Sequence, residues 1–203
     1  MTLLSGCDVS HWQGRIDWRQ VKDSGVAFVF QKSTEGASYV DPTADPNRLG
    51  CEAVGLPIGF YHFFRPKIDA VQQAEHFCKV ARGGQLPPVL DLEAPGFLAE
   101  ISDKVALWVQ TVERELDQTP MIYTTASWWR RWTIEDKTRR IVSQCPVWVA
   151  HYGVPAPMIP RGWQTWAFWQ YSQSGRVPGI AGNVDLDLYQ GDTLPTGAIQ
   201  NPD

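Results

Sequence analysis

The chain has 203 residues, 43% of them hydrophobic and 20% charged, a composition typical of one globular domain, which excludes a chain disordered throughout. Eighteen Lys and Arg against 22 Asp and Glu give a formal net charge of -4, so no overall positive field would attract nucleic acid or anionic lipid. The longest purely apolar run, Val26 to Phe30, is far shorter than the roughly 18 residues of a membrane span, so we expect no membrane insertion.

Short β-branched and aromatic runs bounded by Gly and Pro predict eight strands. In chain order they lie near residues 3–8, 27–31, 58–63, 88–92, 120–124, 146–150, 165–171 and 184–189. Amphipathic stretches between the first five strands predict helices near 17–24, 43–54, 69–82 and 102–117. The chain therefore begins as a series of βα units.

The spacing of the strands predicts how they are connected. The first five leave room for the dozen or more residues of a helical crossover, whereas the last three follow one another too closely for full helices. Regular alternation favours a parallel sheet, and eight strands favour a closed barrel. We expect an α/β fold, a modified TIM-like barrel of five βα units followed by three strands over residues 1–190, with 191–203 as a C-terminal tail or vestigial linker.

Cysteine and histidine positions argue against a metal centre. Neither the four cysteines (Cys7, Cys51, Cys78, Cys145) nor the four histidines show a C-x-x-C or H-E-x-x-H spacing. The start of the chain, MTLLSGCDVS, lacks the basic and apolar segments of a secretory signal, which favours reduced thiols over any of the three possible disulfide pairings. We expect no metal and no other cofactor.

Acidic residues stand where predicted strands end, the edge at which barrels of parallel strands carry their active sites. They are Asp8, Glu35, Asp91, Glu93, Asp185 and Asp187. Asp91 and Glu93 are two apart on one strand, so they share a face with Cα atoms roughly 6.6 Å apart. Two neighbouring carboxyls do not both ionise easily, and one can then serve as a proton donor near neutral pH, as glycosidic bond cleavage requires.

Each acid also has an ordinary structural interpretation. A D-x-E triplet by itself is common on solvated strands. Asp8 could cap a turn before Ser10, and Glu35 could form a surface ion pair with Lys32. The apolar context of the strand that carries Asp91 and Glu93 favours the catalytic interpretation.

Eight segments together resemble one known family, the glycoside hydrolase family 25 lysozymes, or Chalaropsis-type N-acetylmuramidases. They are DVSHWQGRIDW (8–18), KSTEG (32–36), GLPIGFYHFF (55–64), VLDLE (89–93), PMIYT (120–124), PVWVAHY (146–152), WAFWQYS (166–172) and GNVDLDLY (182–189). The resemblance spans nearly the whole chain and implies a (β/α)5(β)3 barrel. It also implies hydrolysis of the β-1,4 bond between N-acetylmuramic acid and N-acetylglucosamine in bacterial peptidoglycan, without a metal.

The resemblance also assigns roles to residues. It implies that Glu93 is the general acid/base and that Asp91 assists the substrate's acetamido group or stabilises the charge on the sugar ring. Asp8 and Asp185 complete the catalytic set. For substrate binding the resemblance and the pattern point to Glu35, Tyr61, Gln170, Trp12 and Asp187, the last standing where Asn is common in the family.

Other functions stay open at this point. A chitinase-like hydrolase of N-acetylglucosamine polymers also suits a D-x-E pair, and a non-catalytic sugar-binding module could keep the aromatic cleft. A zinc-dependent wall amidase is disfavoured by the absence of ligand spacing. With no signal segment, the resemblance is to a phage or prophage endolysin, a monomer made in the cytoplasm that reaches the wall through a holin-type lesion or lysis.

Overall fold

The computed structural model describes residues 2–95, 101–130 and 141–195. Its strands are β1 (Leu3–Val9), β2 (Phe28–Glu35), β3 (Tyr39–Val40), β4 (Ile58–Phe63), β5 (Val89–Leu92), β6 (Met121–Thr125), β7 (Val147–Ala150), β8 (Phe168–Gly175) and β9 (Val184–Gln190). Its helices are α1 (Trp18–Asp23), α2 (Ala44–Ala53), α3 (Ala70–Val80), α4 (Ile101–Leu116) and α5 (Ala126–Trp129), with a 3-10 turn over His11–Gln13. All eight predicted strands and all four predicted helices are present, while β3 and α5 were not predicted.

Eight strands close into a barrel because β1 pairs with both β2 and β9. Around the barrel the order is β1, β2, β4, β5, β6, β7, β8, β9, and the two-residue β3 is an antiparallel appendage on the end of β2. One helix, α1 to α5, follows each of the first five barrel strands. The predicted barrel of five βα units followed by three strands is therefore confirmed.

The barrel strands are parallel, as alternation favours, except β9, which runs antiparallel to both β8 and β1. Residues 176–183 connect β8 to β9, and eight residues are fewer than a parallel crossover needs. The reversal has a consequence for the site. The first residues of β9, not its last, lie at the edge of the barrel where the parallel strands end.

The barrel interior is filled by aromatic and aliphatic side chains from alternate strand positions. Phe28, Phe30, Val89, Met121, Tyr123, Trp148, Ala150 and Phe168 form this inner cluster, and a second cluster lies between the strands and the helices. Gly6 is needed on β1 because a Cβ there would lie 2.3 Å from the Phe28 ring. The aromatic packing closes the barrel and forms an apolar floor beneath its carboxyl edge.

The state of the cysteines and the length of the helices can be compared with what the sequence predicts. Cys7, Cys51, Cys78 and Cys145 are buried free thiols, as a reduced state predicts. Within the described ranges, no helix combines the length and apolar character of a bilayer span. Residues 196–203, most of the predicted tail, lie outside the described residues.

Candidate active site

Four acids from three parts of the barrel meet in one cavity at the carboxyl edge. Asp8 comes from β1, Asp91 and Glu93 from the end of β5, and Asp185 from the start of β9. The cavity has a volume of about 70 Å³, and Tyr61, Tyr123, Trp148 and Gln170 complete its lining. The structure thus brings together all four residues that the sequence analysis expected to be catalytic.

Asp91 and Glu93 share the inward face of β5, as their spacing predicted, while Leu90 and Leu92 pack outward under the helices. Asp91 is 4% exposed, and its Oδ1 atom has no hydrogen-bond partner among the described residues. Burial, with the nearby charge of Glu93, raises the pKa of Asp91 well above its usual value. A buried carboxyl oxygen without a hydrogen-bond partner lowers the stability of the fold, and it is available to accept a hydrogen bond from a ligand.

Glu93 stands at the mouth of the cavity. The residue as a whole is exposed, but the cavity walls remove water from its carboxyl. This desolvation, followed by the charge of Asp185, raises the pKa of Glu93, while Lys32 and the Tyr123 hydroxyl act in the opposite direction. A glutamic acid that keeps its proton at higher pH than usual is suited to general acid catalysis.

Asp8 is held by Gln170, which in turn is held by two tyrosines. The Gln170 side-chain amide donates to Asp8 Oδ2 at 2.6 Å, and its Oε1 accepts from the hydroxyls of Tyr123 at 2.8 Å and Tyr152 at 2.5 Å. Burial, then the charge of Asp185, raises the pKa of Asp8. Gln170 lies on the cavity wall, so it both fixes Asp8 and faces the space that a ligand would occupy.

Asp185 and Asp187 differ in environment although both point into the barrel. Asp185 lines the cavity, and burial raises its pKa to about 6. Asp187 is fully buried and is absent from the cavity lining. Its Oδ1 accepts from Trp148 Nε1 at 2.9 Å, and its carboxyl is close enough to that of Asp8 for each to affect the ionisation of the other. Asp187, predicted to bind substrate, thus lies behind the cavity wall beside Asp8.

Asp8 and Asp187 are two buried carboxyls that affect each other's ionisation, and neither can donate a hydrogen bond unless it is protonated. Asp187 Oδ2 has no N–H or O–H donor among the described residues. Burial, then the charge of Asp8, raises the pKa of Asp187 well above its usual value. The two carboxyls therefore do not both ionise easily, which favours one proton shared between them behind the cavity wall.

Glu35 forms the predicted ion pair instead of lining the acidic cavity. Its Oε2 accepts from Lys32 Nζ at 2.5 Å, and its Oε1 accepts from Nε and Nη2 of Arg65. Partial burial alone would raise its pKa, but the hydrogen bonds from Lys32 and Arg65 outweigh burial and lower the pKa of Glu35. Glu35 is part of the wall of a second, adjacent cavity.

Trp12 lies on the 3-10 turn after β1 and is 82% exposed. Its ring centroid is 4.6 Å from that of His11, whose Nδ1 lies 2.9 Å from Asp41 Oδ2. Asp41 also accepts a hydrogen bond from the Thr43 hydroxyl, which holds the carboxylate that contacts His11 in place. Trp12 is thus a large aromatic face on a braced turn, outside the lining of the acidic cavity.

The sequence analysis missed three side chains of the site. Tyr123 and Trp148 line the cavity, and Tyr152 binds Gln170 from behind. The family segments PMIYT and PVWVAHY contain these three residues, but the sequence assigned them no individual role. A tyrosine two residues before the end of a barrel strand, on the inward face, was the signal that could have found Tyr123.

The sequence of the chain is similar to those of known proteins along most of its length. The sequence profile of "Glycosyl hydrolases family 25" matches residues 7–180. The chain belongs to this family. Lysozyme M1 of Streptomyces globisporus is 36% identical, over 98% of this chain and 71% of that relative. N,O-diacetylmuramidase of Chalaropsis sp is 29% identical, over 90% of this chain and 96% of the relative.

Solved structures of family 25 agree with the fold. The bacterial lysozyme from Streptomyces coelicolor superposes with a TM-score of 0.85 at 35% identity, covering 93% of this chain and 92% of that one. The muramidase from Acremonium alcalophilum gives a TM-score of 0.82 at 28% identity, covering 93% and 94%. The chain is therefore a glycoside hydrolase with the family 25 barrel.

Proposed function

We propose that this family 25 chain is an N-acetylmuramidase that hydrolyses the β-1,4 bond between N-acetylmuramic acid and N-acetylglucosamine in bacterial peptidoglycan. The observation that carries the proposal is the pair at the end of β5, a proton-holding Glu93 beside a buried Asp91 with an unpartnered Oδ1. Lysozymes and muramidases among the similar proteins support this substrate.

In the proposed reaction Glu93 is the proton donor. It transfers its proton to the glycosidic oxygen as the bond from the anomeric carbon to that oxygen breaks, giving an oxocarbenium-like transition state. Asp91 faces the positive charge that develops on the ring, or accepts a hydrogen bond from the substrate's acetamido group through Oδ1. Water then adds to the anomeric carbon and its proton returns to Glu93, which balances the step.

The remaining residues have supporting roles in this proposal. Asp185 supplies negative charge that helps keep the proton on Glu93, and Gln170 holds Asp8 in place. Tyr61 and Gln170 face bound sugar from the cavity wall. Trp12 offers a flat apolar surface for a sugar ring farther from the scissile bond. Glu35 holds the side chains of Lys32 and Arg65 in place through its ion pairs with them.

The proposed unit is the barrel ending with β9 at Gln190, followed by a tail, and its place of action is the cell wall. Release by lysis and a monomeric state are both predictions. They are tested by cell fractionation and by sedimentation of the purified chain, independently of its activity.

The test is to incubate the protein with purified peptidoglycan and with chitin, and to identify by mass spectrometry the sugar that carries each new reducing end. We expect muramic acid reducing ends from peptidoglycan and no release from chitin. Release of N-acetylglucosamine ends from chitin would favour the chitinase-like alternative. Binding of glycan without any new reducing ends would favour the sugar-binding module.

A further inference from the structure

A second cavity, of about 440 Å³, lies beside the acidic one. The strand-end segment of β5 separates them, since Glu93 lines the first cavity while Ala94 and Pro95, the next residues, line the second. The rest of its lining comes from the segments that follow β2 and β4, residues 35–38 and 65–68. This neighbour of the catalytic cavity, here called the basic pocket, has no role in the mechanism above.

The charge of the basic pocket is opposite to that of the catalytic cavity. Arg65 and Lys67 line it together with Glu35. Lys32 lies outside the lining but forms an ion pair with Glu35, so three cations are near this one carboxylate. Lys67 is exposed and forms no ion pair with any described residue. Arg65 uses Nε and Nη2 on Glu35, which leaves Nη1 without an acceptor in residues 2–95, 101–130 and 141–195. Both cations are therefore available to an anionic ligand.

The wall that carries these cations is braced before any ligand binds. Gln73 accepts from the Arg65 backbone N–H at 2.8 Å and donates to the Arg65 carbonyl at 3.1 Å. Lys104 Nζ donates to the carbonyls of Pro66 and Ile68. A braced backbone limits the positions available to the Arg65 and Lys67 side chains, so binding an anion loses less conformational entropy than it would on a free loop.

The Phe63 ring adds to this preorganisation. Lys32 Nζ and the Arg65 guanidinium each lie 4.7 Å from its centroid. Such cation–π contacts hold the two cations in place without neutralising their charge. The positive charge next to the scissile-bond site is thus a built feature of a chain whose net charge is negative.

We propose that the basic pocket binds the carboxylates of the peptide stem that muramic acid residues carry in peptidoglycan. This inference rests on the proposed function, which places a muramic acid in the neighbouring cavity. The stem is attached through the lactyl group of that sugar and carries free carboxylates along a short extended peptide. Arg65 Nη1 and Lys67 Nζ are the donors for it, and an open cavity of this volume has room for several peptide atoms.

The test compares three forms of the same soluble glycan strands. One keeps its stems with free carboxylates, one has those carboxylates converted to amides with carbodiimide and ammonia, and one has its stems removed by an amidase. The third form exposes the lactyl carboxylate, a second source of the same charge. KM and kcat are measured for the wild type, for Lys67→Gln, and for Lys79→Gln as a control that removes an exposed lysine from α3, away from the pocket.

We expect Lys67→Gln to raise KM about three- to fivefold on strands with free stem carboxylates, with kcat unchanged, and to have no effect on the amidated or stripped strands. Lys79→Gln should have no effect on any of them. The difference should also disappear when NaCl is raised to about 1 M, where the Debye length is about 3 Å.

Equal KM values for the wild type and Lys67→Gln on all three forms would overturn the inference, as would an effect that persists on amidated strands. An effect on the stripped strands alone would assign the pocket to the lactyl carboxylate instead of the stem. If the wild type released no muramic acid reducing ends from any form, the proposed function itself would fail. Cleavage of all three forms with no dependence on Lys67 would reject the pocket assignment alone.

Discussion

Asp8 on β1 and Asp185 on β9 are directly opposite each other in the antiparallel register of the two strands. Like charges at such a position repel, and burial adds to the cost of ionising both. The pKa of Asp8 is raised by burial and then by Asp185, and that of Asp185 is raised by burial to about 6. The reversed direction of β9 creates this pair, because it brings the first residues of that strand to the catalytic edge of the barrel.

The first prediction concerns the pH profile. Asp185→Asn should move the alkaline limb of kcat/KM to lower pH, because after burial the Asp185 charge is the main cause that raises the pKa of Glu93. A proton donor is active below its pKa and is lost as pH rises through it, so a lower pKa means earlier loss. Since the pKa of Asp185 is about 6, the difference from wild type should be largest above that pH.

Lys32→Met is the matched control for this profile. Lys32 lowers the pKa of Glu93, so its removal should shift the alkaline limb in the opposite direction, to higher pH. Both profiles are measured on the same solubilised glycan. Limbs that stay in place, or that move together, would contradict the electrostatic account of Glu93.

The second prediction concerns stability. Asp187→Asn should raise Tm at pH 7 by about 2 °C or more, an amount that corresponds to about 1 kcal/mol in a protein of this size, and should change Tm little at pH 4. The folded-state pKa of Asp187 is raised by burial and by Asp8. Its stabilising contribution is therefore present below the unfolded pKa near 4 and is lost as pH rises toward the folded pKa.

Asparagine matches the shape of Asp187 and does not titrate. It keeps an acceptor for Trp148 Nε1, and its amide can present an N–H donor to Asp8, as a protonated Asp187 would present an O–H donor. Thermal unfolding at several pH values checks this. An equal change in Tm at pH 4 and pH 7, or a lower Tm at pH 7, would contradict a shared proton between the two carboxyls.

The third prediction concerns Tyr123, which sequence reasoning missed. Tyr123→Phe should lower kcat/KM about fivefold, the effect of one hydrogen bond worth about 1 kcal/mol. The Tyr123 hydroxyl donates to Gln170 Oε1, and Tyr123 lines the cavity beside Glu93. Tyr152→Phe removes the other donor to Gln170 from a residue outside the cavity lining, so it is the control and should have a smaller effect on kcat/KM.

The fourth prediction is that EDTA leaves hydrolysis unchanged. Within the part of the chain that the structure describes, no three His, Cys, Asp or Glu side chains are arranged to hold a metal ion. Activity is followed as release of reducing ends from wall dialysed against chelator. Loss of this release that zinc restores would instead show that glycan hydrolysis depends on a metal.

The sequence predicted the fold and the catalytic acids because both follow from local patterns. Alternation on β5 was enough to place Asp91 and Glu93 on one face, and strand spacing was enough to predict four helical crossovers. The direction of β9 was not predicted. The predicted end of β8 at residue 171 left 12 residues before β9, whereas β8 continues to Gly175 and leaves only eight, too few for a parallel crossover.

The roles of Asp187, Tyr123 and Gln170 depend on contacts between residues far apart in sequence. Asp187 alternates with Asp185, so the period-two pattern gives the two the same face but says nothing of which one reaches the cavity. The barrel decides this, since Trp148 and Asp8 cover Asp187. Similarly, the bond between Gln170 and Asp8 joins residues on β8 and β1, two strands apart in the barrel.

The measurement that tests the central claim most directly is turnover and binding of peptidoglycan strands by Glu93→Gln beside the wild type. General acid catalysis contributes about 10²- to 10⁴-fold, so release of muramic acid reducing ends should fall by at least about 100-fold, while the Kd for the strands stays within about threefold. Turnover within about tenfold of wild type would contradict the assignment of Glu93 as the proton donor.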